Sequence, residues 1–330
     1  MSDSKGTGSA PSTATAWRPP DGRRLLQLAL AALWLLDGVL QLQPLFFTGG
    51  PDGLSGMLAG TAPGNPHAIA RSITWNASVV DHHAVVANTA FALIQILLGF
   101  GIAWRLTLKP ALGASIVWSL AVWWFGEGLG GVLHGAGTPV AGGPGAVLFY
   151  ALLAILLWPT DRAGSKPPFA AARAIGLRAA TFVWVAVWTG LAILALFGSG
   201  RSPQGIHDLI DGLSPGEPGW LRAIDRHAGT LVSHEGLAVA VAVAAVCLVV
   251  GVGVFLPVPL ARATLVLAIV TAAVIWIVGQ AFGTILAGGA TDPNSGPLLA
   301  VLALAYWPVH RRPAVGGADA DAVPLPVAVA

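Results

Sequence analysis

Two carboxylic acids within apolar stretches of this chain are the residues whose chemistry most needs an explanation. Asp37 lies near the middle of the first apolar run, and Glu127 lies in the later half of the third. A charged side chain deep in a bilayer costs about 2.5–3.5 kcal/mol unless it is paired, protonated or in contact with water. His134 follows Glu127 by seven residues, which on a continuous helix places both on one face. The three are predicted to line one polar path and to be catalytic. The alternative is that Asp37 and Glu127 are protonated and hydrogen-bonded between helices.

Histidines beside two apolar runs form a second set of candidate ligands. Residues 81–83 (Asp-His-His) correspond to residues 233–235 (Ser-His-Glu), 152 positions later. Asp81 and Ser233 are suitable N-cap residues, which is the structural explanation. A helix N-terminus disfavours imidazolium, so neutral histidines able to bind a metal or a proton are expected. The candidate metal ligands are His82, His83, His234 and Glu235. Trp123 and Trp124 precede Glu127 and are candidates for contact with a cofactor, with core packing as the alternative.

The composition indicates an integral membrane protein. Of 330 residues, 55% are hydrophobic and only 10% charged, whereas soluble domains carry about 25% charged residues. The net charge is +2 and the basic residues form no patch, so nucleic-acid binding has no support. A single cysteine, Cys247, excludes an internal disulfide and a Cys-rich metal site. The lipid bilayer is the expected partner.

Eight apolar runs predict an all-α membrane fold with eight transmembrane helices. The runs cover residues 25–47, 84–104, 111–133, 144–159, 179–198, 237–256, 263–286 and 296–309. With a cytoplasmic N-terminus, the inner segments hold 13 Lys and Arg residues and the outer segments hold 4. Both termini are then cytoplasmic. The protein is predicted to lie in the plasma membrane of a bacterium. Residues 1–22 and 313–330 are predicted to be disordered tails.

The sequence repeats itself at a distance of 152–153 residues. Matching positions include Gly38 with Gly190, Pro51 with Pro203, Gly126 with Gly279, and Trp158-Pro159 with Trp307-Pro308. Two tandem four-helix units, 23–162 and 163–312, are therefore predicted in the same orientation. The acidic positions are not repeated: Asp37, Glu127 and His134 correspond to Thr189, Gln280 and Ala287. We expect the first unit to hold the active site and the second to be scaffold.

Two kinds of loop recur in both units. A spacing of apolar residues at 54, 57 and 58 predicts a short helix in the first outer loop. Segments rich in Gly, Thr and Pro, at 135–143 and 288–296, precede the short fourth and eighth runs. Interrupted spans at corresponding positions often mark a binding site in membrane proteins built from repeats. An ordinary outer loop is the alternative.

The order of these features resembles the DoxX/DoxD-type family of four-helix bacterial membrane proteins. The resemblance includes the turn Pro63-Gly64-Asn65-Pro66, the Gly-containing second span that ends in a basic turn at 98–105, and the short fourth span at 146–153. It covers 25–159 and, more faintly, 179–309. The resemblance implies a role in redox-linked membrane complexes, some of which act on thiosulfate and quinone. It assigns no catalytic residue, and a tandem fusion departs from the usual single unit.

Three functions stay open on these grounds. The first is a redox-associated subunit or accessory protein, in which a quinone from the bilayer exchanges protons at an outward-facing site and a partner protein supplies electrons. The second is a proton-coupled transporter for a small solute or metal ion, with the same acids on its path. The third is a non-catalytic scaffold that holds a partner through its outer loops.

Overall fold

The computed structural model describes residues 21–161, 167–213 and 215–308, and within these ranges it contains helices and irregular segments without a β-strand. The α-helices are α1 (Gly22–Leu40), α2 (Leu54–Gly60), α3 (His67–His82), α4 (Ala84–Ala103), α5 (Leu108–Phe125), α6 (Ala146–Leu156), α7 (Ala170–Ile175), α8 (Leu177–Phe197), α9 (Gly205–Asp211), α10 (Gly219–Val232), α11 (Gly236–Val252), α12 (Val258–Val274) and α13 (Ser295–Ala305). The predicted tails lie outside the described residues, except Asp21 and Gly22, which begin α1.

Within the described ranges, five helical segments are long and apolar enough to cross a membrane. They are α4, α5, α8, α11 extended to Phe255, and α12 extended by a π-helical turn to Gly279. The apolar helices α6 and α13 are shorter, with eleven residues each. On α4, the side chains of Val85, Val86 and Leu97 are 60–72% exposed. Apolar faces of this extent are unusual in water, so the fold is that of an all-helical membrane protein.

Two predicted spans end earlier than their apolar runs. The first helix stops at Leu40 and is followed by a 3₁₀ turn, Pro44–Phe47. Pro44 cannot donate a helical hydrogen bond and disfavours helical geometry at the residue before it. The helix of the third predicted span, α5, stops at Phe125, and Gly126 begins a glycine-rich segment. The predicted continuous helix from Glu127 to His134 is therefore wrong, because the backbone between them is not α-helical.

The two halves of the chain use the same helix pairs. In the first half α1 packs on α4 and α5 packs on α6; in the second, α8 packs on α11 and α12 on α13. The short helices α6 and α13 contact each other and lie at the centre, with eight of eleven residues buried in each. Their apolar sequences suit this position, because helices that are hydrophobic on all sides are buried ones.

An ion-pair cluster joins the start of α1 to the segment that connects the halves. Asp161 accepts from Arg23 at 3.0 Å and from Arg173 at 2.9 Å, and Arg173 also pairs with Asp21. The carboxylates are about half exposed, so each pair contributes at most about 1 kcal/mol. These pairs fix the position of the connecting segment against the start of α1 more than they stabilise the fold.

A helical hairpin follows the first long helix in each half. The predicted short helix at 54–58 is confirmed as α2, and α9 occupies the corresponding place in the second half. The longer partners α3 and α10 were not predicted, since their mixed composition forms no apolar run. The predicted N-cap role of Asp81 is wrong: Asp81 lies within α3 and accepts hydrogen bonds from Gly50 N at 2.7 Å and Ser55 Oγ at 2.7 Å. Ser233 likewise follows α10 rather than capping α11.

A buried pair of carboxyl groups lies in the second hairpin. Glu217 and Asp225 are 4% and 1% exposed and adjoin each other. None of their four oxygens accepts a hydrogen bond from a donor in the described residues. Loss of solvation, followed by hydrogen bonding with Glu217 and repulsion from its charge, raises the pKa of Asp225 to about 7. One proton shared between the two groups supplies the missing donor.

This pair predicts a loss of stability as the pH rises. The pKa of Asp225 is raised above the value of about 3.9 typical of an unfolded chain, so its stabilising contribution is full below pH 4 and is lost as the pH rises through about 7. The melting temperature followed by tryptophan fluorescence should fall between pH 5 and pH 8, and less so in Asp225→Asn. Asp208→Asn, the same charge change at an exposed site on α9, is the control. Equal pH slopes in all three proteins would contradict the shared proton.

Candidate functional site

A cavity of about 260 Å³ lies in the first half of the protein. Its walls come from α1, α4 and α5, while Leu54, Met57 and Leu58 of α2 lie across one side. It is lined by Trp34, Asp37, Gln41, Leu54, Met57, Leu58, Thr61, Asn76, Phe91, Gln95, Trp118, Ala121, Val122, Phe125, Gly126, Glu127, Val147, Thr291 and Asp292. Three of these residues are acidic and none is Lys, Arg or His.

Asp37 is positioned by the packing of α1 against α4. Asp37 is 1% exposed. The neighbouring Gly38 packs so closely on Ile96 of α4 that a side chain at position 38 has no room. One helical turn later, Gln41 Nε2 donates to Asn88 Oδ1 at 2.5 Å, and Asn88 Nδ2 donates to Gln41 O at 2.9 Å. Asp37 Oδ1 makes no hydrogen bond of good geometry to the described residues, and its neighbouring donor is the Tyr150 hydroxyl. A buried acceptor left in this state is a feature that needs a functional explanation.

Glu127 is positioned by a left-handed turn that follows α5. Four successive residues, Gly128 to Gly131, have φ between 55° and 69°. Leu129 is among them, and a non-glycine residue in this region costs about 1–2 kcal/mol. The turn brings the Glu127 carboxylate to the start of α6, where Val147 N donates to Oε1 at 3.2 Å. The second oxygen, Oε2, is buried without a partner among the described residues.

The second half of the chain repeats this left-handed turn and its contact with the next helix, but with an uncharged side chain. Residues 281–284 (Ala-Phe-Gly-Thr) have φ between 45° and 69°, the same left-handed course as 128–131. Gln280 takes the place of Glu127: Gly296 N, at the start of α13, donates to its Oε1 at 3.3 Å, and its Nε2 donates to Ser295 Oγ at 2.8 Å. An amide thus performs the structural task fully, and the carboxylate of Glu127 is not required for it.

This comparison predicts different effects for two substitutions of Glu127. Glu127→Gln keeps an acceptor for Val147 N, as Gln280 does in the other half, and should melt within a degree or two of wild type. Glu127→Ala leaves the first turn of α6 without its acceptor and should lower the unfolding free energy by about 0.5–2 kcal/mol. Thermal unfolding in detergent measures both. Equal destabilisation by the two variants would show that the charge itself holds α6.

The third acid of the cavity, Asp292, comes from the second half of the chain. It precedes α13, and its carboxylate accepts from Asn294 N at 2.7 Å and from Thr291 Oγ1 at 3.0 Å. The same segment is held against the end of α1, because Gln43 Nε2 donates to Ala290 O at 2.9 Å. The cavity is therefore completed by a residue far away in sequence. Its only sequence signal was its place in the Gly/Pro-rich segment at 288–296.

Aromatic rings form much of the remaining wall. Phe91 and Trp118 pack with ring centroids 5.5 Å apart, and Trp34 packs on Tyr150 at 4.3 Å while donating to Ser115 Oγ at 3.0 Å. Trp118 Nε1 and Gln95 Oε1 are buried polar atoms without partners in the described part of the chain. Sequence reasoning missed both residues, although a glutamine within the apolar run 84–104 was a usable signal.

Three other predicted site residues lie away from the cavity. Trp123 Nε1 donates to Pro144 O at 2.7 Å, which braces the segment before α6. Trp124 is exposed and donates to Ser72 Oγ at 2.9 Å. His134 is exposed and its ring lies against Gly64 in the loop between α2 and α3. The structure thus brings Asp37 and Glu127 together and leaves His134 outside.

The predicted metal ligands are spread over two surfaces. His82 and His83 are exposed at the end of α3, where His82 Nδ1 lies 2.7 Å from Ser78 O. His234 and Glu235 are exposed between α10 and α11, and the His234 ring contacts Gln204 Nε2 at 3.0 Å. Among the described residues, no group of three or more His, Cys, Asp or Glu side chains is arranged to hold a metal ion. Metal binding by these four residues stays a prediction of the sequence.

Comparisons with protein-family models, with curated proteins and with solved structures found no match for this chain. The acidic cavity is therefore the observation from which a function is best inferred.

Proposed function

We propose that this protein binds and transports a small solute through the cavity beside Asp37, with Asp37 and Glu127 as its proton-carrying or cation-binding groups. The observation that carries the proposal is a cavity of about 260 Å³ lined, among the described residues, by three carboxylates and by no basic residue. Unpaired ionisable groups inside membrane helices are expensive, and they recur on ion and substrate pathways. Asp37 Oδ1 and Glu127 Oε2 are buried oxygens without a hydrogen bond of good geometry in the described residues, and a proton or a donor group of a ligand would satisfy them.

The proposal includes eight spans in two tandem units. The five long helices, α1 and the two short central helices α6 and α13 make up that number, and the order of helices is the same in both halves. We place both termini in the cytoplasm of a bacterium, from the distribution of Lys and Arg. A single cysteine at Ser78 should react with an impermeant maleimide in intact cells and one at Thr107 should not, each in a Cys247→Ser background. The reverse pattern would invert the topology.

Transport is tested in liposomes that contain the purified protein and a trapped pH indicator. Groups of small solutes (amines, amino acids, sugars, carboxylates) are added outside, and movement of protons is followed inside. At least one group should drive proton movement with wild type and none with the double variant Asp37→Asn/Glu127→Gln. Thr189→Ala, at the position that corresponds to Asp37, should behave as wild type. Proton movement by the double variant, or by no solute with wild type, would contradict the proposal.

A quinone-linked redox function is the second candidate. The unpartnered Trp118 Nε1 is a donor within an aromatic wall, which suits a quinone carbonyl, and the resemblance to the DoxX/DoxD family favours the same role. An absorption spectrum and lipid extraction of the purified protein test it, beside a Trp118→Leu variant. Co-purified quinone that is lost in the variant would favour this candidate. Solute-driven proton movement without an electron donor would favour transport.

A further inference from the structure

The unpartnered polar atoms of the cavity describe the ligand that would complete it. Three of the four on residues that line the cavity are acceptors, Asp37 Oδ1, Glu127 Oε2 and Gln95 Oε1, and the fourth is the donor Trp118 Nε1. Asp37 and Gln95 are 1% and 9% exposed, so solvent at the surface does not satisfy them. Buried acceptors without donors are costly, and a ligand that carries donors removes this cost.

The charge of the site selects a cation. Asp37, Glu127 and Asp292 all line the cavity, and the residues that line it include no Lys, Arg or His. An anion such as a carboxylate or a sulfur oxyanion would meet repulsion in a setting of low dielectric constant. A neutral molecule would leave the acids without a counter-charge. A cation satisfies both the charge and the acceptors, whereas beside a neutral ligand each acid has to hold a proton.

The size and the walls of the site select an organic cation rather than a metal ion. The cavity has the volume of about eight or nine water molecules at about 30 Å³ each, far more than one dehydrated metal ion. The described residues hold no cluster arranged for a metal. Trp34, Phe91 and Trp118 offer apolar surface, and aromatic faces also attract organic cations.

We propose that the cavity binds a small primary ammonium compound with a flat apolar group. A primary ammonium carries three N–H donors, which matches the three acceptor oxygens at Asp37, Glu127 and Gln95, and the apolar group packs against the rings of Phe91 and Trp118. This inference rests on the proposed function and specifies its substrate class. It also assigns the site to the first half alone, because Thr189, Cys247 and Gln280 stand at the corresponding positions of the second half and carry no charge.

The test is binding of three probes of equal size to the purified protein, measured by calorimetry. Benzylamine is cationic, benzyl alcohol is neutral and benzoate is anionic. Wild type should bind benzylamine at least tenfold more tightly than either of the others. Asp37→Asn should weaken benzylamine by more than tenfold, and Gln95→Leu should weaken it severalfold by removing an acceptor without changing the charge. Thr189→Ala, on α8, should bind as wild type.

The outcomes separate this inference from the proposed function. Equal or tighter binding of benzyl alcohol or benzoate would overturn the ammonium assignment. Proton movement driven only by sugars or carboxylates in the liposome assay would do the same while leaving transport in place. Absence of binding by all three probes, together with absence of solute-driven proton movement, would reject both. Benzylamine binding that Gln95→Leu and Asp37→Asn leave unchanged would place the site elsewhere.

Discussion

Asp37→Asn is expected to weaken benzylamine binding by more than tenfold while leaving the protein at least as stable as wild type. Asp37 Oδ1 is buried, and its neighbouring donor is the Tyr150 hydroxyl, from which the Oδ1 of an asparagine can still accept. An amide of the same shape avoids the burial of a carboxylate. In the variant, a bound cation has no counter-charge at position 37. Loss of a buried charge pair costs about 2–5 kcal/mol, or about 30-fold or more in affinity.

Weaker ligand binding combined with unchanged or higher stability distinguishes a functional acid from a structural one. A carboxyl group that only joins two helices by hydrogen bonds should lower the melting temperature when it is replaced. The measurement pairs a melting curve in detergent with benzylamine binding on the same preparation. Thr189→Ala is the matched control because position 189 corresponds to 37 in the other half. A destabilised Asp37→Asn variant that still binds the probe would assign Asp37 to structure.

The positions of the membrane helices were predictable because apolar composition alone marks them. The runs 84–104 and 179–198 match α4 and α8 closely, since lipid-facing and buried positions are both apolar and no other pattern competes. Helix ends were less predictable. The first run continues through Phe47 in hydropathy, while Pro44 ends helical geometry before it.

The grouping of the site residues was only partly predictable. Asp37 and Glu127 share a cavity, as expected from two isolated acids in apolar runs. The position of His134 was inferred from helical periodicity, which does not apply across the left-handed turn after α5. Asp292 was missed because nothing local in the sequence shows that its loop reaches the first half. The partners of Asp81 are likewise set by tertiary packing, through Gly50 and Ser55.

The left-handed turns are the least predictable part of the fold, and they are where a small substitution should have its largest effect on stability. Gly130 has φ of 61°, and a Cβ atom there would overlap the carbonyl oxygen of Pro144. We expect Gly130→Ala to lower the unfolding free energy by about 2–5 kcal/mol, the sum of left-handed strain and overpacking. The loss should extend to the site, because this turn carries the Glu127 carboxylate to α6.

Gly190→Ala is the matched control for this prediction. Gly190 lies within α8, and a Cβ atom there would meet nothing within 4 Å. Alanine favours a helix over glycine by up to about 1 kcal/mol, so this variant should melt at or above the wild-type temperature. Cys247 is the only cysteine and is buried, so its reaction with a thiol dye on heating reports unfolding in both variants. Gly283→Ala, at the corresponding turn of the second half, should behave like Gly130→Ala because its Cβ would lie 2.6 Å from the carbonyl carbon of Pro293.

If Gly130→Ala unfolds at the same temperature as Gly190→Ala, the left-handed course of residues 128–131 is wrong, and with it the placement of Glu127 beside Val147.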